Sequence, residues 1–194
     1  YLVVLLAVSW AVRHRRWQVL WGMAFALGFS AIMLWLISPG WVPAYLCFVS
    51  GHDFFQYYTS TLGGLAYALW GTNLLRYAGI LLLPLIPFLL RLADSQGWLT
   101  AMNVALLASV PLAPYGFTFD QIVLLPAILQ MLAWLQQGEL PGRCSQAVRI
   151  GLVLIYLVFF LLSIPTLYYH CFAWVPLALA GLYALAWTQR RQIA

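Results

Sequence analysis

The apolar residues of this chain come in long unbroken runs, and its polar residues gather in short clusters between them. Barrel strands would alternate apolar and polar positions, so runs of this kind predict helices. The first run, residues 1–12, stops at Arg13-His14-Arg15-Arg16. It is shorter than the about 20 residues a membrane-spanning helix needs, and it reads as the tail of a span whose start lies upstream. A second run covers residues 17–37 and closes at Ser38-Pro39-Gly40. A third covers 74–92 and a fourth 98–112, with a polar turn at 93–97. The fifth covers 120–135, the sixth 149–164, and the seventh 171–188, which ends in Gln189-Arg190-Arg191. Residues 136–148, with Gly138, Pro141 and Gly142, read as a polar loop, and 165–170 as a turn. The pattern predicts an all-α, polytopic transmembrane helix bundle with about seven spans, the first truncated. A single transmembrane domain is expected, the C-terminal part of a longer chain.

Residues 41–73 fit neither class, being too polar to span and too apolar to be free in water. Trp41, Tyr45 and Phe48 recur at steps of four and three, one face of a helix. Trp and Tyr favour the headgroup zone, so a helix lying in the interface is expected here. Thr59-Ser60-Thr61 then offers N-cap candidates for a second short helix over residues 62–70. This loop either roofs a cavity or simply packs over the bundle.

Composition agrees with the pattern: 65% of residues are hydrophobic, 7% are charged, and the mean hydropathy is +0.93. A soluble domain averages about 45–50% apolar and about 25% charged residues. The net charge of +5 comes from nine Arg and no Lys. A basic balance can signal nucleic acid, but these Arg sit at the ends of apolar runs, as the positive-inside bias requires, so no nucleic-acid partner is expected. With seven spans, eight of the nine Arg fall on one side and only Arg76 on the other. The cytoplasmic end then holds Asp94, Glu139 and His14. The outer end holds His52, Asp53, Gln56, Arg76, Tyr115, Asp120, Gln121 and His170, ringed by Tyr57, Tyr58, Tyr168 and Tyr169.

The most informative stretch is the hinge at residues 111–126, Pro-Leu-Ala-Pro-Tyr-Gly-Phe-Thr-Phe-Asp-Gln-Ile-Val-Leu-Leu-Pro. Thr118 and Gln121 fit the capping box Ser/Thr-x-x-Glu/Gln, which puts Asp120 in the first turn, at the positive end of the helix dipole. Pro114 and Gly116 break the preceding run, and Pro126 is expected to bend the next. Asp120 either completes a helix start or belongs to a polar site, since ionisable groups near membrane depth mark pathways and ligands.

Other groups carry the same pair of readings. His52-Asp53 fits a substrate contact or a structural role; neighbours on a helix do not face each other, and no third ligand stands at a diagnostic spacing, so no metal is expected. Arg76 opposes the dipole at the start of its span and so wants a partner: Asp53, Asp120 or a phosphate. His170 suits a hydrogen bond to phosphate or sugar, or a satisfied place at the interface. Cys47 and Cys171 share the outer side and can bridge in an oxidising compartment, but buried free thiols are the expectation. The sequence has no Gly-rich phosphate loop, Ser/His/Asp signature, Cys-x-x-Cys pair or Walker motif, so soluble nucleotide chemistry is not expected.

Residues 114–126 resemble the Pro-Tyr-x-x-x-Tyr-Asp-Gln-x-x-Leu-Leu-Pro stretch of glycosyltransferase family 87, with Phe119 in place of the family Tyr. Thr59-Ser60-Thr61-Leu62-Gly63-Gly64 resembles its Thr-Pro-Thr-Leu-Gly-Ser segment, with Ser60 in place of Pro. The resemblance extends over residues 38–187. It implies a membrane enzyme of GT-C type that moves a sugar, typically mannose, from a polyprenyl-phosphate donor to a glycolipid or glycan acceptor. Such transfer takes place on the outer face of a bacterial plasma membrane and needs no cofactor. It implies a catalytic acid in an outer loop near the start of the whole chain, which this sequence does not contain, so the chain alone is expected to be inactive. Tyr115, Asp120 and Gln121 match the motif; Arg76 and His170 are candidate donor-phosphate contacts on chemical grounds. The expected partners are membrane lipids, the donor and the acceptor. Two other classes fit the same residues: a lipid or sugar-lipid transporter, whose binding sites use broken helices, and a scaffold without chemistry.

Overall fold

The computed structural model describes residues 2–51, 59–164 and 169–190. The described residues are mostly helical, and no strand occurs among them. Nine α-helices follow in chain order: α1 (Leu2–Arg13), α2 (Trp17–Ile37), α3 (Trp41–Gly51), α4 (Leu62–Trp70), α5 (Ile86–Gln96), α6 (Trp98–Ser109), α7 (Leu125–Gln136), α8 (Gly142–Ser163) and α9 (Trp174–Arg190). Three 3-10 segments, Leu74–Leu85, Thr118–Leu124 and Tyr169–Phe172, lead into α5, α7 and α9. Five stretches are long and apolar enough to cross a membrane: Trp17–Ile37, Leu74–Gln96, Thr118–Gln136, Gly142–Ser163 and His170–Arg190. Leu2–Arg13 and Trp98–Ser109 are shorter apolar helices.

These elements match the expected order of seven, with differences that have local causes. Residues 143–148 are helical rather than loop, because Pro141 ends the turn in an extended conformation and α8 starts at Gly142. Arg143, Gln146 and Arg149 lie on its exposed side, while Cys144 and Val148, four apart, are buried, so the polar letters mark one face of a helix. Pro126 sits at the start of α7, where the 3-10 segment gives way to the α-helix and a missing N–H costs no hydrogen bond. Pro87 does the same for α5. Two spans are therefore built alike, a 3-10 half and an α half joined at a proline. Runs of 3-10 helix beyond 3–4 residues are uncommon, and here they are 12 and 7 residues long. Among the described residues Cys47 and Cys171 form no disulfide, and Cys47 is exposed rather than buried.

Two cores hold the bundle. One joins α6, α7, α8 and α9 through Leu107, Met131, Trp134, Val148, Leu179 and Tyr183. The other joins α1, α5 and α6 through Leu2, Leu6, Leu89, Leu92, Ala101 and Ala105. Gly151 lets α9 approach α8, since a Cβ there would lie 2.8 Å from a Leu182 methyl. By contrast α2 buries none of its 21 residues.

The bundle has two chemically distinct ends. At one, Asp94 on α5 bridges Arg13, the last residue of α1, and His14 just after it, each at 3.0 Å. Gln96 accepts from the Trp187 indole, and Glu139 pairs with Arg190, whose guanidinium lies 5.1 Å over the Trp134 ring. These ties gather the C-terminal ends of α1, α5, α7 and α9, and with them the arginines. The N-terminal halves of the same spans meet at the opposite end.

Candidate functional site

At that opposite end the residues of the two sequence motifs form one cradle. The segment before α4 is built around Thr61, the N-cap, whose Oγ1 accepts from the Gly64 N–H at 3.2 Å and shares a hydrogen bond with Thr59 Oγ1 at 3.0 Å. Thr59, Ser60 and Thr61 are all buried. Ser60 N–H donates to the Gly116 carbonyl and Leu62 N–H to the Pro111 carbonyl, both at 2.9 Å. Ser60 Oγ adds a bond to Gly116 O at 3.3 Å and one shared with Thr118 Oγ1 at 3.4 Å. The hinge thus satisfies the backbone groups of a segment some 50 positions earlier in the chain, as buried polar groups require.

Two glycines make the fit possible. A Cβ at Gly63 would sit 2.6 Å from Arg76 Cγ and 3.0 Å from Arg76 Cα. A Cβ at Gly64 would collide with the Thr59 carbonyl oxygen. Arg76 is only 1% exposed. Its guanidinium donates to the Pro114 carbonyl at 3.4 Å and lies 5.5 Å from the centre of the Tyr67 ring. A buried charge of this kind needs such partners. Arg76 therefore fastens α4 to the hinge, and its first role is to hold the cradle together.

Asp120 differs from its expected setting by one position. The cap residue is Phe117 rather than Thr118, and the exposed Asp120 carboxylate accepts from the Phe117 N–H at 2.7 Å. Asp120 is thus the third helical residue and does the work the sequence reserves for Gln121. Gln121 is released to donate to the Phe172 carbonyl at 3.1 Å, which brings in the turn that carries the half-buried His170. Tyr115 is 38% exposed and stands edge-on to Phe117 at 5.0 Å, and Phe117 stacks on Phe119 at 5.2 Å. Tyr115, Asp120, Gln121, Arg76 and His170 thus share one end of the bundle. His52 and Asp53 lie outside the described residues. Among the described residues no group of three His, Cys, Asp or Glu is placed to hold a metal.

A second polar cluster lies inside the bundle. Gln130 on α7 is its centre: Oε1 accepts from Asn103 Nδ2 and from the Tyr183 hydroxyl, both at 2.6 Å, and Nε2 donates to Thr100 Oγ1 at 3.0 Å. Asn103 Nδ2 also reaches the Pro126 carbonyl at 3.3 Å. Thr100, Asn103, Gln130 and Tyr183 are all buried. Sequence reasoning passed over these residues because each stands alone in an apolar run. The signal was present in Thr100 and Asn103, which at i and i+3 share a helix face. A crevice of about 200 Å³ opens beside this cluster between α6 and α9, with Val104, Leu107, Ala108 and Trp187 among its walls.

Fold and site together define an all-α, polytopic membrane protein. No family model, curated protein or solved structure matches the chain.

Proposed function

We propose that this chain is the donor-binding part of a GT-C-type glycosyltransferase. The reaction is transfer of a hexose, in the first instance mannose, from a polyprenyl-phosphate donor to a glycolipid or glycan acceptor. The cradle faces the extracytoplasmic side of a bacterial plasma membrane, and no catalytic base is assigned among the described residues. The observation that carries the reading is the backbone pairing of Ser60 with Gly116, which joins two motifs that sequence alone only sets in order. Around that junction stand an exposed carboxylate, an exposed phenol and a half-buried histidine, groups able to bond phosphate and sugar hydroxyls, with the buried Arg76 beneath them holding the cradle together. The base activates the acceptor hydroxyl as the lipid phosphate leaves, so no covalent enzyme intermediate is needed.

The test is Asp120→Ala in the complete protein, reconstituted with a polyprenyl-phosphate sugar. Because Asp120 is exposed and ties down a single N–H, the substitution costs at most about 1 kcal/mol of stability. Transfer is expected to fall at least about 100-fold at unchanged abundance and unfolding temperature, the scale of a lost transition-state contact. Unchanged transfer would reject the assignment of Asp120.

One observation favours a second reading, a lipid or sugar-lipid transporter. Leu74–Gln96 and Thr118–Gln136 are both discontinuous at a proline, and paired broken helices build transporter sites near the bilayer midplane. Movement of a labelled sugar-lipid across a vesicle bilayer without formation of a new glycosidic bond would decide for it.

A further inference from the structure

We propose that the turn between α1 and α2, together with Arg91, holds the headgroup of an anionic phospholipid. The proposal is independent of the sugar-transfer reading and concerns the other end of the bundle. Four arginines lie at that end on neighbouring elements. Arg13, Arg15 and Arg16 lie in and beside the turn, and α1 packs on α5, which brings up Arg91. Arg91 is three residues before Asp94 on α5 and so neighbours it on the helix surface. Asp94 is committed to Arg13 and His14. The other acid at this end, Glu139, is committed to Arg190. Arg15, Arg16 and Arg91 are exposed and make no ion pair with any described residue. The patch therefore keeps a surplus of positive charge that no acid of this end is left to neutralise.

The surroundings select a lipid rather than a soluble anion. Trp10 packs on His14 at 5.0 Å and on Trp98 at 5.3 Å, and Trp17 is 55% exposed, a group of indoles at headgroup level. Directly below Arg16 begins α2, which buries none of its residues and presents Trp21 and Phe25, each 75% exposed. A molecule with a phosphate at Arg15 and Arg16 can lay its hydrocarbon chains along that helix. The cations are all guanidiniums, which grip a phosphate with two parallel N–H bonds where an ammonium offers a point charge. Arg15 has a left-handed backbone, φ 51°, an unusual conformation for a residue with a side chain and one that turns the chain sharply between the helices.

The experiment is retention of lipid by the purified protein, counted by native mass spectrometry after equilibration with equimolar phosphatidylglycerol and phosphatidylcholine. Each basic residue near an anionic headgroup contributes a factor of about five. The wild-type protein is expected to retain phosphatidylglycerol at least tenfold over phosphatidylcholine, falling steeply with added salt (~10-fold). R15Q/R16Q/R91Q is expected to lose most of that preference. R143Q/R149Q, which removes two exposed arginines of α8, is expected to keep it. All five side chains are exposed, so both variants should fold, and R15Q/R16Q alone gives a smaller loss in the same direction. The proposal is overturned by no headgroup preference in the wild-type protein, by a triple variant that keeps it, or by equal losses in the two variants, which would mean diffuse attraction to net charge.

Discussion

Gly64→Ala is expected to break the cradle while leaving the rest of the bundle assembled. The added methyl would meet the Thr59 carbonyl oxygen and hydroxyl, and lie 2.7 Å from the Thr59 nitrogen. Most of these are backbone atoms, so no flexible side chain can swing aside. Overpacking a tight site costs about 1–3 kcal/mol, occasionally more, and a backbone collision belongs at the upper end. Relief requires the residues around Thr61 to move off the hinge, which breaks the Ser60–Gly116 and Leu62–Pro111 bonds together. The measurement is unfolding in detergent combined with proteolysis of the hinge. A loss of about 3 kcal/mol with early cleavage near residues 111–118 is predicted. Gly28→Ala is the control, because nothing lies within 4 Å of a Cβ there. It should be neutral or stabilise α2 by about 0.5–1 kcal/mol. Equal responses at the two glycines would contradict the packing described.

The second large effect is expected at Gln130→Leu. The substitution keeps the volume roughly constant but removes three hydrogen bonds at once, those from Gln130 to Tyr183, Thr100 and Asn103. In water-soluble proteins each orphaned buried group costs about 1–3 kcal/mol. Within a membrane the figure is smaller, about 0.6 kcal/mol per bond on average and up to about 1.7, because the unfolded chain also finds partners. Three bonds then give about 2 kcal/mol at the average and about 5 kcal/mol at most. The sign of the mechanism is checked by Gln130→Leu/Tyr183→Phe, which removes the stranded hydroxyl and should recover part of the loss. A double variant as unstable as the sum of the two single ones would show that Gln130 and Tyr183 act independently.

Much of this architecture was legible in the pattern of runs. Residues 17–37 and 171–188 lie within a residue or two of the observed α2 and final span, because an uncharged run of membrane length has few alternatives. Thr61 as a cap was legible for the same local reason: a hydroxyl directly before an apolar run has one obvious donor to bind. The 3-10 halves of Leu74–Gln96 and Thr118–Gln136 were not legible. Each ends at a proline-started α-helix and packs on another element, α4 for the first and α6 for the second, which a run length does not record. The cap at Asp120 was missed by one residue, since the hydroxyl makes Thr118 the obvious cap, whereas the folded chain uses the backbone N–H of Phe117. Arg76 was legible as a cation seeking partners, whereas its burial under Gly63 and against Pro114 is a tertiary fact. Gln130 escaped for a related reason: a lone amide in an apolar run reveals its partners only when α6, α7 and α9 meet.

The central claim is that the bundle separates its chemistry by end, with the cradle at one and the arginines at the other. It is tested most directly by placing single cysteines at positions 120 and 143, both exposed, in protein whose own Cys47, Cys144 and Cys171 are replaced. A membrane-impermeant maleimide applied to sealed vesicles of one orientation should label one position and spare the other, and inverted vesicles should reverse the result. Labelling of both positions from the same side would contradict the account.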